Sequence, residues 1–255
     1  MDLSGKTVVV TGGTSAAGAA ICNLFAKHGA EVAVCSRDLA AARAFAGGLR
    51  SSGAIAEGFE VDFSRRAGLA PACIAIIARF GKIDVLINSE NETLLSHERA
   101  PLHEFSIERC NEIIEMGIKS FFTFSKCCMQ NMALRKNGSV VNITPVWGLT
   151  PISNHSPVVA VAAAVVGMTK MWGVELKNEG IRVNAVAAGI TAEELDSTPP
   201  GLQKNRLAHL AVQRPVAPDE LASAAFFLAS GAAGYITGAV LPVDGGLCAG
   251  YARSF

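Results

Sequence analysis

Charge is scarce in this 255-residue chain. Only 17% of residues are charged, and 22 Lys+Arg balance 22 Asp+Glu. The missing positive excess argues against a nucleic-acid binder that relies on a strongly basic face. Low hydrophobicity is missing too, since half of the residues are apolar, and a disordered chain is thereby excluded. No C-x-x-C pair occurs, and no His/Cys cluster has zinc spacing, so no metal site is expected. The seven cysteines (22, 35, 73, 110, 127, 128 and 248) are odd in number and scattered; they read as buried or free thiols of a reducing compartment. Met1-Asp2-Leu3-Ser4-Gly5-Lys6 lacks the apolar run of a signal peptide. The longest apolar run, Pro157 to Met168, is too short to span a bilayer. The expectation is a cytoplasmic protein with neither membrane nor nucleic acid as partner. Tyrosine is nearly absent: Tyr235 and Tyr251 are the only two.

What is present is a regular alternation. Thr7-Val8-Val9-Val10 is a β-branched run, as a strand buried on both faces requires. Further strands are predicted over 31–35, 55–61, 83–87, 139–143, 181–186 and 239–243. Between them helices are predicted over 15–28, 38–50, 65–79 and 219–229, with one long helix over 107–134. Such alternation implies an α/β fold: a single-domain, doubly wound parallel sheet of about seven strands over residues 1–255, with helices on both faces. The stretch from Thr191 to Lys204, with Pro199-Pro200, is predicted to be an irregular, mobile loop.

Thr11-Gly12-Gly13-Thr14-Ser15-Ala16-Ala17-Gly18 lies between the first strand and the first helix. There the chain resembles the short-chain dehydrogenase/reductase family, whose motif is T-G-x-x-x-G-x-G, and the likeness extends over nearly the whole chain. Ile87-Asn88 follows the fourth strand as the family's N-N-A-G would. Gly138 to Ile143, Arg182 to Val186, Tyr235-Ile236-Thr237-Gly238 and Val243-Asp244-Gly245-Gly246 match later segments in the right order. The resemblance implies a Rossmann-type fold with vestigial dinucleotide positions at Gly12, Ser15, Gly18, Arg37, Asp62 and Asn88. Arg37, in place of an acid, suits the 2′-phosphate of NADP. Two changes weigh against binding: Ala16 replaces the middle glycine, and Glu90 replaces a small residue of the cleft.

The family's chemistry uses a Tyr, a Lys, a Ser and an Asn. Flanking matches place Val158 at the Tyr, Ala162 at the Lys, Pro145 at the Ser and Gly117 at the Asn. None of these four can move a proton. Asn111, about 240° away round the helix from Gly117, is no substitute. The expectation is a chain that carries no cofactor, with NADP held weakly as the alternative and NAD or NADP bound by an active partner. The expected partner is an active homologous subunit in a heterotetramer. The chain resembles the inactive subunit of family members that act on a CoA thioester in aromatic degradation, as with 2-(hydroxy(phenyl)methyl)succinyl-CoA. The apolar helix around 158–166, with Ile113, Met116, Phe121, Phe124 and Met129 of the long helix, is expected to form the interface, and the tail from Leu247 through Tyr251 to Phe255 a further one. A lyase, isomerase or cyclase reusing the pocket through His155, Thr144, Glu90 and Glu193 is the competing expectation, with His155 read as a loop-surface residue. An NADP-holding sensor is a third.

Overall fold

The computed structural model describes residues 3–89 and 99–250. Seven parallel strands form one sheet in the order β3-β2-β1-β4-β5-β6-β7. They are β1 (Thr7–Val10), β2 (Glu31–Ser36), β3 (Ala56–Glu60), β4 (Val85–Asn88), β5 (Gly138–Pro145), β6 (Ile181–Ala188) and β7 (Val240–Val243). β1 pairs with β2 on one side (Val8 opposite Val32) and with β4 on the other (Val8 opposite Val85). The strand order therefore reverses between β1 and β4, where open α/β sheets leave a ligand crevice at the carboxyl ends.

Successive residues of each strand feed two different cores. Val8, Val10, Val32, Val34, Ile87 and Val141 pack under α1 (Ala16–Lys27), α2 (Leu39–Ser51) and α9 (Pro218–Ala229). Val9, Ala33, Leu86, Val140 and Val183 pack under α3 (Leu69–Phe80), α5 (Phe121–Ala133) and α6 (Ser156–Glu175). Both faces are thus covered, which is why the strands read as continuous apolar runs. Helix starts are capped as their sequences imply. The Ser15 hydroxyl accepts from Gly18 N at 3.1 Å, and Asp38 accepts from Ala41 N at 3.1 Å. Glu220 accepts from Ala217 N at 2.8 Å and pairs with Arg214, which together bring its carboxyl down to about 2.

Three expectations are corrected. The long helix is interrupted: α4 (Ile107–Ile114) runs into a π-helical turn (Glu115–Ser120) before α5. The segment 191–204 is not irregular. Thr191 caps a short helix, α7 (Ala192–Asp196), through its hydroxyl and Glu194 N at 3.2 Å, and Pro200 opens α8 (Pro200–Ala208). The apolar run at 157–168 belongs to a longer helical stretch, Ser156–Glu179, of mean hydropathy 1.6, which by length and composition alone could cross a bilayer. Half of that window is buried inside this fold, where α6 is a layer helix.

The expected interface residues divide. Ile113, Phe121, Phe124 and Met129 are core, each under 9% exposed. The outward face of α6 is instead Ala160, Ala163, Gly167, Lys170, Met171, Val174 and Glu175, beside the exposed Phe122 of α5. Leu247 is half-buried, while Tyr251 and Phe255 fall outside the described residues.

Candidate functional site

The crevice is built on the turn between β1 and α1. Gly12 has a left-handed backbone (φ 60°), open to glycine at little cost. A Cβ on Gly18 would lie 2.0 Å from the Gly12 carbonyl oxygen, so the first turn of α1 can close against the loop only with glycine there. Gly13 N is tied to Cys35 O at 2.8 Å. These contacts place the N-terminus of α1, where Ser15 takes only the Gly18 N–H, at the crevice, as an anionic pyrophosphate requires. Ala16 stands first in α1 with an exposed methyl and no left-handed backbone. Its substitution for glycine therefore leaves the turn intact.

At the end of β2, Ser36 accepts from the Thr14 hydroxyl at 3.0 Å. Asp38, the nearest acid, is spent on capping α2. Arg37 between them is exposed, with no ion pair among the described residues. Beyond β3, Asp62 accepts from Ser64 N at 2.9 Å, Ser64 Oγ at 2.7 Å and Arg65 Nε at 2.8 Å. Burial alone would raise its carboxyl, but these donors outweigh it and hold it below the usual range. A carboxylate has about four lone-pair sites, so one remains.

Asn88 ends β4, almost fully buried. Its amide donates to Ser125 Oγ at 3.0 Å and to Asn142 Oδ1 at 2.9 Å, and Asn142 donates to Thr169 Oγ1 at 2.9 Å. This chain of side chains ties β4, β5, α5 and α6 together. Three buried oxygens at the carboxyl ends of β4 and β5 have no partner among the described residues: Asn88 Oδ1, Ser89 Oγ and Thr144 Oγ1. Buried polar atoms of this kind are uncommon without a bound group to satisfy them. The residues present fit the adenosine and pyrophosphate portion of a dinucleotide.

The four residues expected at the catalytic positions have no ionisable side chain. Val158 is 1% exposed and packs with Ile113 and Val161. Ala162 is fully buried, and its backbone presses on the 146–148 turn so closely that a Cβ on Gly148 would lie 2.7 Å from the Ala162 carbonyl oxygen. Pro145 closes β5. Gly117 sits in the π turn, where a Cβ would meet Val161 Cγ1 at 2.4 Å. Tyr235 is fully exposed in the loop before β7.

Over the cleft lies a polar cluster that the sequence only half disclosed. His155 is 5% exposed, contrary to its reading as a surface residue, and donates Nδ1–H to Ser153 O at 2.6 Å. Burial pushes its pKa down, with Arg99 and Arg206 adding to the shift and the Ser153 carbonyl and Glu194 opposing it. Arg206 pairs with Glu194 and donates to Thr198 Oγ1 at 2.7 Å; Arg99 donates to the same oxygen at 3.1 Å. Glu193 points to solvent, so Glu194 is the carboxylate that α7 brings in. Two acidic neighbours at a helix start gave no sequence signal to choose between them. Thr144 is buried as a cleft residue should be. Glu90 falls outside the described residues. Among the described residues no group of His, Cys, Asp and Glu could hold a metal ion.

Comparison with known proteins agrees with this geometry. Residues 12–248 match a family described as enoyl-(acyl carrier protein) reductase. The chain is 33% identical to cis-4-hydroxycyclohexanecarboxylate dehydrogenase of Sinomonas cyclohexanicum, covering 96% of this chain and 97% of that protein. It is 31% identical to a 3-oxoacyl-(acyl-carrier-protein) reductase of Thermotoga maritima, over 97% and 99% of the two chains. The crystal structure of a gluconate 5-dehydrogenase from Burkholderia cenocepacia, in complex with NADP and tartrate, superposes with a TM-score of 0.89 at 27% identity, over 97% of each chain. The expectation of a chain without a cofactor is thereby corrected. A relative of the same fold holds NADP, the family depends on NAD or NADP, and Ala16, which was expected only to weaken binding, lies outside the left-handed region and leaves the turn intact. The chain belongs to the short-chain dehydrogenase/reductase family of oxidoreductases.

Proposed function

We propose that this chain is a non-catalytic family member that holds an NADP-type dinucleotide and completes an oligomer with an active homologous subunit. The observation that carries the reading is the state of the four catalytic positions. Gly117, Pro145, Val158 and Ala162 offer no ionisable group, and the space that a side chain at 117 needs is filled by Val161. Catalytic groups act as a unit, so losing all four removes the proton relay entirely.

When bound, the nicotinamide supplies a hydride donor or acceptor. This chain's own residues hold the other end of the molecule. The N–H groups at the start of α1 face the pyrophosphate, and Arg37 offers a guanidinium to a 2′-phosphate. Asp62 has one lone-pair site left for the adenine, and Asn88, Ser89 and Thr144 offer oxygens that lack partners among the described residues. The gluconate 5-dehydrogenase solved with NADP supports the choice of nucleotide. For assembly, the support is the outward face of α6, where Met171 is 50% and Val174 61% exposed along a row of alanine and glycine. A helix face of small and apolar residues, interrupted only by Lys170 and ended by Glu175, suits an interaction surface. A role in the cytoplasm accords with this reading.

The test is nucleotide titration of the purified chain with Arg37→Ala as control. NADP binds, and the variant loses about tenfold in affinity for NADP, as the loss of a charge-assisted hydrogen bond implies, with little change for NAD. NADPH is not consumed with the keto forms of the relatives' substrates. Turnover by the chain alone overturns the proposal.

One observation favours a second reading, an acid–base enzyme that needs no hydride. His155 is buried and held neutral at pH 7 beside Glu194 and Arg206, as a general base would be. A His155→Gln variant that keeps nucleotide binding and assembly intact is expected under the first reading.

A further inference from the structure

Away from the cleft, α3 and α5 bring three thiols together. Cys73 Sγ on α3 lies 3.8 Å from Cys128 Sγ on α5, and both residues are buried. Cys127, the preceding residue on α5, is half-buried and packs against the same core cluster that holds Cys73 and Cys128. The Cys128 hydrogen bond favours the Cys73 thiolate most, against burial, and Cys127 adds to it. Burial acts the other way on Cys127 and Cys128, raising both. A thiolate flanked by thiols is the arrangement for exchange, since the thiolate is the attacking species.

We propose that Cys73 is the central thiol of an oxidative modification site, closing a disulfide with Cys127 or Cys128 when the chain meets a low-molecular-weight disulfide. The half-buried Cys127, as thiolate, attacks the oxidant's S–S bond, forms a mixed disulfide and releases one small thiolate. The Cys73 thiolate then attacks Cys127 Sγ, forming the Cys73–Cys127 bond and releasing the second small thiolate. Cys128, once deprotonated, attacks Cys73 Sγ, moves the bond to the buried pair and returns Cys127 to the thiolate. In sum, two protein thiols give up two protons and two electrons, and the oxidant is reduced to two thiols. The buried pair must close from 3.8 Å to about 2.05 Å. α5, which would be drawn toward α3, also carries Ser125, the residue that holds Asn88 at the cleft.

The experiment equilibrates the full chain with oxidised glutathione, quenches by alkylation and maps the peptides by mass spectrometry. The expected result is a peptide pair joining Cys73 to Cys127 or Cys128, and glutathione alone on the exposed Cys248. Cys73→Ala abolishes the link, Cys128→Ala confines it to Cys127, and Cys127→Ser slows its formation several-fold while leaving the Cys73–Cys128 bond as its end point. If Cys73→Ala fails to fold, the other two variants decide. Glutathione on Cys248 with Cys73 still alkylated overturns the proposal, as does a link that forms in Cys127→Ser at the wild-type rate.

Discussion

Replacing Gly117 by alanine tests whether Val161 has grown into a catalytic position. Two effects oppose each other. Alanine inside a helix is favoured over glycine by about 0.5–1 kcal/mol. The new methyl, however, would sit 2.4 Å from Val161 Cγ1, 3.1 Å from Cγ2 and 3.3 Å from Cβ. A β-branched side chain has few rotamers to escape into, and overpacking of this kind costs about 1–3 kcal/mol. Overpacking therefore wins, and Gly117→Ala lowers stability by about 1–2 kcal/mol, which in a chain of this size lowers Tm by roughly 2–8 °C. Val161→Ala removes the two methyls and destabilises by itself through a cavity. In that background, adding Gly117→Ala has only the helix term left and raises stability by about 0.5–1 kcal/mol. Calorimetry of the four proteins gives the coupling energy, expected at about 1–3 kcal/mol, the range of residues in contact. Equal stabilisation by Gly117→Ala in both backgrounds would refute the claim that the position is filled.

The double variant Val158→Tyr/Ala162→Lys gains no dehydrogenase activity, because Pro145 and Gly117 still lack their groups; NADPH consumption above that of the parent chain counts against this. Met171→Glu with Val174→Glu leaves the fold intact, since both sites are exposed, but abolishes assembly in light scattering. Asp84 is 4% exposed and accepts from Thr7 N and Arg135 Nη1, both at 2.9 Å. Burial would raise its carboxyl, but the Thr7 and Arg135 hydrogen bonds prevail and depress it. Its stabilisation is thus full above the unfolded value of about 4 and is lost as pH falls through the lower folded one. Asp84→Asn is expected to cost about 2–3 kcal/mol at pH 7, and the gap from the parent closes in acid denaturation.

The sheet was legible because buried parallel strands need continuous β-branched runs, and Thr7 to Val10 or Ser139 to Ile143 have no other home. The assignment of Val158 and Ala162 to the Tyr and Lys positions rests on the fixed spacing to Gly167 to Lys170 along α6. What escaped the sequence depends on contacts between distant segments. The π turn at Glu115–Ser120 brings Gly117 against Val161, a contact that no local residue marks. The order in α7 and α8 comes from Arg206 reaching Glu194 and Thr198, which periodicity cannot show over such short helices. His155 is buried beside that same cluster, so its loop setting misled. The inference of an empty chain failed for a related reason. Ala16 was weighed as a motif change, whereas its backbone lies in the right-handed helix and its methyl in solvent.

The central claim, a nucleotide-holding but inactive subunit, is tested most directly by native mass spectrometry of this chain co-expressed with a catalytically active homologous chain. The account predicts a mixed oligomer in which this 26.5 kDa chain, once dissociated gently, carries the mass of one NADP. A homo-oligomer indifferent to the active chain, or a mixed oligomer in which this chain never carries a dinucleotide, would contradict it.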